Sequence, residues 1–230
     1  MFLHVRVHAS EYPSLALGQA WPELLSPREE AILAGLPFLP RRRKWLLGRA
    51  AAKRLVRELL PGRAATELSV LNRPSGEPYV FLEGQGEWEL PISISHRSES
   101  GLAATPAQRA LRIGADLEII APRDAALVRQ FFTDREADLV EASPAGRDTL
   151  VARIWSAKEA VLKLLGLGLR LDTRALEVRP DGRAFPECPA GWQPVDVQVR
   201  ATLPDTLQPR ALRVAWCRDA ESVLTVAVAG

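Results

Sequence analysis

The run Ile113-Gly114-Ala115-Asp116-Leu117-Glu118-Ile119 constrains this 230-residue chain more than any other stretch. Side chains on a strand alternate between faces. Ile113, Ala115, Leu117 and Ile119 therefore share one side, and Gly114, Asp116 and Glu118 share the other. The pattern predicts a half-buried strand with two carboxylates on its open face. They would lie about 6.6 Å apart, and like charges that close repel unless a cation, a raised pKa or solvent relieves them. Hard oxygen donors at this spacing suit Mg²⁺, which takes one or two carboxylates and leaves its other positions to phosphates. A plain solvated strand face satisfies the same pattern.

What surrounds this strand must be an ordinary globular protein. Hydrophobic residues make up 47% and charged residues 25% of the chain, which argues against disorder and leaves room for one large or two small domains. A net charge of +2 implies no general affinity for polyanions, although Arg41-Arg42-Arg43-Lys44 is a dense local run. Cys188 and Cys217 cannot build a disulfide scaffold and fit a reducing compartment. The first residues carry no apolar core of a signal peptide, and no run of 18 apolar residues exists. A cytoplasmic protein with no membrane association is expected.

Leu3, Val5 and Val7 alternate with His4, Arg6 and His8, which predicts an opening strand. Ser26-Pro27-Arg28-Glu29-Glu30 reads as a helix start, with a serine N-cap, proline at the first helical position and acids in the first turn. A second helix is expected from about Arg42 to Leu60, ending at Pro61-Gly62. Strands follow at 68–71 and 91–96, with a hairpin partner at 101–105, and then the acidic strand. Residues 124–132 read as helical, and Thr133-Asp134-Arg135-Glu136 as a capping box. A long helix spans about Leu150 to Leu165 and stops at Gly166-Leu167-Gly168. Strands at 176–179, 195–201, 212–217 and 223–228 close the chain, separated by proline-rich loops at 186–194 and 204–209.

Two halves repeat weakly. With Trp45 placed on Trp155, Ala50 falls on Ala160 and Lys53 on Lys163. Arg73-Pro74-Ser75-Gly76 similarly matches Arg179-Pro180-Asp181-Gly182. The offsets suggest duplication of a helix-plus-strands unit of about 110 residues, with a boundary between 1–110 and 111–230. The acidic strand then opens the second half.

Other segments supply complementary chemistry. Trp155, Glu159 and Lys163 recur at i, i+4 and i+8 and form roughly one helical stripe. A Glu–Lys pair at this spacing is usually a surface pair, but a third carboxylate is what a D-x-E metal site lacks. Ser95-His96 ends a strand in a polar loop that could meet a phosphate or simply be solvated. Arg41 to Lys44 could hold another phosphate or form a charged solvated face.

Four motifs in order are Ile94-Ser95-His96, Ile113-Gly114-Ala115-Asp116-Leu117-Glu118, Phe131-Phe132-Thr133-Asp134-Arg135-Glu136, and Trp155-Ser156-Ala157-Lys158-Glu159-Ala160-Val161-Leu162-Lys163 with Gly166 and Gly168. Together they resemble the 4′-phosphopantetheinyl transferases, and the length and repeat resemble the monomeric two-half type serving peptide and polyketide synthases. The motifs span about 75 residues, 94 to 168; Leu25-Ser26-Pro27 and Leu46-Leu47-Gly48-Arg49 are softer matches. The resemblance implies an α+β fold of two similar α/β halves related by pseudo-twofold symmetry, with coenzyme A between them. It also implies transfer of the phosphopantetheine arm to a serine of an apo acyl or peptidyl carrier protein, releasing 3′,5′-ADP. Mg²⁺ would sit on Asp116, Glu118 and Glu159. Glu159, Lys163 and His96 would carry catalysis. Lys44, Arg49, Arg73, Ser95, His96, Lys158 and Lys163 would contact coenzyme A.

The chain departs from the family pattern in three places. Glu77 stands where a lysine is frequent in Gly76-Glu77-Pro78, Ile32 stands where a basic residue is frequent, and Arg97 separates His96 from Ser98. A non-catalytic coenzyme A or carrier-protein binder on the same fold is the alternative reading. A nucleic-acid binder built on Arg41 to Lys44 fits poorly with the near-neutral charge.

Overall fold

A computed structural model describes residues 2–183, 185 and 188–230. The fold is mixed α/β and divides into two compact units, Phe2–Arg109 and Ala110–Gly230. In the N-terminal unit, β1 (Phe2–His8), β5 (Ser93–Arg97) and β6 (Ser100–Pro106) form an antiparallel sheet in the order β1-β6-β5. The long helix α2 (Leu39–Leu59) packs on it, and α1 (Pro27–Ala34) precedes α2. A second small sheet holds β2 (Leu68–Asn72), β3 (Pro78–Leu82) and β4 (Gly86–Glu87). The C-terminal unit is built on β7 (Arg112–Ile119), β8 (Leu176–Arg179), β9 (Gln193–Val199), β10 (Arg213–Asp219) and β11 (Ser222–Ala229). They form one sheet in the order β7-β11-β10-β9-β8. Short helices α3 (Ala125–Phe131) and α4 (Asp134–Glu141) lead into α5 (Arg147–Leu164), which lies on β7 and β11.

The expected elements form, with shifted ends. Helix α2 starts at Leu39 because Pro40 falls in its first turn, where a missing N–H costs nothing. Helix α5 starts at Arg147, fed by a 3₁₀ turn over Pro144–Gly146. Strand β5 begins at Ser93, since Pro91 has no N–H to pair and its carbonyl instead accepts from Thr105 Oγ1 at 2.7 Å. Of the expected loop at 186–194, Pro186 and Glu187 lie outside the described residues.

One reading is corrected. The acidic strand has no open face: Ile113 through Glu118 are all buried, Asp116 at 6% and Glu118 at 4% exposure. The covering element is α5. A Cβ added to Gly114 would stand 1.9 Å from Ala160 O and 2.5 Å from Leu164 N. The helix backbone therefore rests directly on the strand at the one residue without a side chain. Gly114, Asp116 and Glu118 share the face that meets α5, as the alternation requires.

Each unit carries the same buried network. In the N-terminal unit, Glu29 caps its own helix by accepting from Ser26 N at 3.0 Å, and it also accepts from Val70 N at 2.9 Å. Lys53 on α2 pairs with Glu29 and donates to Leu24 O at 2.7 Å and Ala65 O at 2.8 Å. In the C-terminal unit, Glu136 accepts from Thr133 N at 2.7 Å and Val178 N at 2.7 Å. Lys158 on α5 pairs with Glu136 at 2.7 Å and donates to Phe131 O at 3.1 Å and Thr173 O at 3.0 Å. All four charged side chains are 1% exposed or less. Burial pushes both lysine pKa values down, and the partner glutamate opposes the shift. The contacts match Lys53 with Lys158, whereas identity had aligned Lys53 with Lys163. Losing one member of such a pair costs on the order of 3–5 kcal/mol, because the other is left charged and dry.

Gly114→Ala is expected to destabilise the protein by about 2–3 kcal/mol, the upper range for overpacking, because backbone atoms must retreat to admit the methyl. Urea denaturation at unchanged m-value checks this; stability equal to wild type would mean that α5 does not lie on β7 this closely.

Candidate active site

Strand β7 and helix α5 bring four predicted residues together. Lys163 Nζ donates to Asp116 Oδ1 at 2.8 Å and to Ala115 O at 3.0 Å. Glu118 accepts from Ile119 N at 2.9 Å and pairs with Arg123. Glu159 lies within electrostatic reach of all three: burial pushes its carboxyl pKa up, Asp116 and Glu118 raise it further, and Lys163 pulls it down. Along α5 nearly every residue from Leu150 to Leu164 is buried, and Arg153, Trp155, Glu159 and Lys163 are the partly exposed exceptions. The i, i+4, i+8 stripe is thus the open side of a helix otherwise enclosed. Trp155 holds its upper end by an edge-on contact with Phe131, with centroids 5.2 Å apart.

Among the described residues, no group of three or more Asp, Glu, His or Cys side chains is gathered tightly enough to form a ready metal cage. Lys163 and Arg123 instead sit on two of the carboxylates. The donor set nonetheless fits Mg²⁺ chemically. It offers hard oxygens only, and Mg²⁺ needs few protein carboxylates because substrate phosphates and water fill the rest. Two like charges raising the Glu159 carboxyl are the repulsion that a divalent cation relieves.

The predicted nucleotide-binding residues divide. Lys44, Arg49 and His96 line one pocket of about 410 Å³ in the N-terminal unit, together with Arg41, Trp45, Gly48, Asn72, Gly76, Pro78 and Ile94. Gly48 allows β5 to approach α2: a Cβ there would come within 3.0 Å of Ile94 Cγ2 and 4.0 Å of His96 Cδ2. Arg49 is 6% exposed, stacked over Trp45 at 4.4 Å and donating from Nη2 to Asn72 Oδ1 at 2.9 Å. Its Nε has no hydrogen-bond partner, and burial lowers its pKa to about 10 against the pull of Glu29. A buried guanidinium with a donor to spare is suited to an anion.

The remaining predicted contacts lie elsewhere. Ser95 is buried on β5, between two residues that line the pocket, and does not line it itself. Arg73 sits outside, paired with Glu87 and Glu77 and stacked over Tyr79 at 4.7 Å. Glu77 accordingly engages Arg73 and leaves the pocket clear. Lys158 is fully enclosed, with its ammonium committed to Glu136 and two carbonyls. Such a lysine has no open side to offer a ligand.

Three participants escaped the sequence reading. Arg123 is five residues beyond Glu118, in a connection that periodicity does not describe. Asn72 reaches its pocket through tertiary contacts alone, beside Arg41 of the expected basic run. Glu136 was visible, but only as a cap; a capping glutamate gives no hint that its second oxygen reaches a strand and a lysine.

Residues 112–217 match the family described as the 4′-phosphopantetheinyl transferase superfamily. That stretch, just under half of the chain, is similar to the superfamily's domain, and the chain is an enzyme. A 4′-phosphopantetheinyl transferase of Bacillus pumilus is 28% identical over 166 residues, covering 70% of this chain and 67% of its own. One from Bacillus subtilis is 30% identical over 122 residues, covering 52% of this chain and 51% of its own. A holo-(acyl-carrier-protein) synthase structure from Bacillus anthracis, in complex with CoA (3′,5′-ADP), overlays 45% of this chain and 91% of its own. Its TM-score is 0.37 at 20% identity.

Inorganic pyrophosphate is expected to raise the melting temperature of this protein by a few degrees at concentrations far above its Kd, by mass action. Arg49→Met should lose most of that rise, whatever its own melting temperature. An equal rise in both proteins, read by differential scanning fluorimetry, would show that Arg49 does not hold the anion.

Proposed function

We propose that this chain transfers the 4′-phosphopantetheine arm of coenzyme A to a serine of an apo acyl or peptidyl carrier protein, releasing 3′,5′-ADP, in a Mg²⁺-dependent reaction. The observation that carries the reading is the meeting of Asp116, Glu118, Glu159 and Lys163 where β7 and α5 touch. Similarity of residues 112–217 to that superfamily supports the reaction class. The pocket lined by the cations Arg41, Lys44 and Arg49, with His96 beside them, suits the nucleotide phosphates. The N-terminal unit is then the adenosine-phosphate side and the C-terminal unit the catalytic side. The twin Glu–Lys networks support reading the two units as similar copies of one helix-plus-strands design.

Asp116, Glu118 and Glu159 would hold Mg²⁺, which when bound supplies positive charge to the pyrophosphate. The chain's own residues do the rest. The serine Oγ attacks the phosphorus nearer the pantetheine arm, the bond from that phosphorus to the bridging oxygen breaks, and 3′,5′-ADP departs with the electron pair. Such transfers need positioning and charge stabilisation more than covalent help. Lys163 neutralises charge growing on the phosphate oxygens. Glu159 accepts the serine proton, and a carboxyl raised by its surroundings is better matched to that task near neutral pH. His96 and Lys44 steady the nucleotide phosphates. A monomer in the cytoplasm completes the reading; no described helix is long and apolar enough to cross a membrane.

Mass spectrometry of an apo carrier protein incubated with this protein, coenzyme A and Mg²⁺ tests the assignment. The expected result is a carrier heavier by one phosphopantetheine. No mass gain across acyl and peptidyl carriers alike would overturn it.

Within that reaction, Glu159→Gln keeps the side chain's size and removes its charge. It should lower kcat by about 10²-fold or more. Lys163→Arg retains charge in a planar fork and should keep partial activity, whereas Lys163→Ala should keep almost none. Near wild-type kcat in both Glu159→Gln and Lys163→Ala would make this stripe of α5 structural.

A further inference from the structure

We propose that Lys158 and Glu136 are positioning residues that set the rotation of α5 presenting Glu159 to Asp116 and Glu118, rather than groups that contact coenzyme A. The inference rests on the transferase reading of Glu159. Glu159 sits between two fasteners on consecutive positions. On one side, Lys158 ties α5 to the end of α3 through Phe131 O, to the 3₁₀ turn at Thr173–Ala175 through Thr173 O, and to the start of α4 through Glu136. On the other side, Ala160 O rests against Gly114 of β7. Fixing residues 158 and 160 fixes the angle at which residue 159 leaves the helix.

Glu136 makes the clamp stiff. One of its oxygens takes Thr133 N at 2.7 Å and the other takes Val178 N at 2.7 Å, so the carboxylate is bound to α4 and β8 before Lys158 reaches it. The lysine is 0% and the glutamate 1% exposed. A charge pair held this tightly costs much to expose, and it leaves the ammonium no direction toward a substrate.

The N-terminal unit supplies an internal control. Lys53, Glu29, Leu24 O, Ala65 O, Ser26 N and Val70 N repeat the arrangement contact for contact. There, however, the residue after the lysine is Arg54, an exposed side chain paired with Glu11 and Glu58. The clamp therefore exists where no metal-binding carboxylate follows it. Its common purpose is to seat a helix. Only in the C-terminal unit is the next residue Glu159, and only there does seating the helix also aim a functional side chain.

The test compares Lys158→Met, Glu136→Gln and the double variant Lys158→Met/Glu136→Gln, with Lys53→Met as the matched control. Three quantities are read well below every melting temperature: Mn²⁺ affinity of the protein alone by calorimetry, coenzyme A affinity without metal, and kcat against KM. Loss of a partner outside the ligand shell typically weakens metal binding about tenfold or more. That loss is expected in all three C-terminal variants, with kcat reduced and coenzyme A affinity within about twofold of wild type. The double variant should regain part of the melting temperature lost in Lys158→Met, since it leaves no lone buried charge, yet not regain Mn²⁺ affinity. Lys53→Met should lose comparable melting temperature and keep Mn²⁺ affinity. Glu136→Gln preserves shape and stays readable if Lys158→Met does not fold. Wild-type Mn²⁺ affinity in Glu136→Gln overturns the proposal. So does a tenfold loss of coenzyme A affinity confined to the Lys158 variants, which would make that lysine a ligand contact. If the wild-type protein modifies no carrier, the transferase reading fails, while the Mn²⁺ and melting arms still decide whether the clamp aims Glu159.

Discussion

The C-terminal unit depends on how closely α5 lies against β7. Helices usually stand off a sheet by the thickness of the side chains between them, but at Gly114 there is none. The helix backbone comes into contact with the strand, and the side chains on either side of that contact are forced into each other's company. Asp116 meets Lys163, and Glu159 comes within the field of Asp116 and Glu118. A standard helix-to-sheet separation would dissolve this meeting. The glycine of the G-x-D-x-E pattern is thus as much a part of the site as the acids.

The alternation at 113–119 was enough to assign the strand, its faces and the common direction of Gly114, Asp116 and Glu118. It could not tell that the acidic face is covered, because period-two reasoning sees a strand and its two sides but not what lands on them. Helical spacing did better for Trp155, Glu159 and Lys163, since a stripe on one helix is a local property. It failed for Lys158, whose fate is decided by a capping glutamate 22 positions earlier and by carbonyls from two other segments. Arg73 misled for a similar reason: Glu87, which claims it, arrives through the pairing of β3 with β4. Residues whose role follows from their own element were legible, and residues whose role is set by a distant partner were not.

The two buried networks also correct how the internal repeat is read. Aligning tryptophans put Lys53 on Lys163, a match of letters at different depths. Matching contacts puts Lys53 on Lys158, both enclosed, both answering a glutamate at the start of a short helix. Identity over a few residues cannot separate a buried lysine from a half-exposed one, whereas a shared set of partners can.

The acidic site also keeps its own counter-ions. Lys163 on Asp116 and Arg123 on Glu118 partly neutralise the carboxylates from within. On the transferase reading, a divalent cation held by Asp116, Glu118 and Glu159 would compete with these resident cations for the same carboxylates. Affinity is thereby tempered, because each carboxylate gives up one attraction as it gains another. On the same reading, the Lys163 ammonium released from Asp116 would be the group that the reacting phosphate requires, so that loading the site and arming it would be a single exchange.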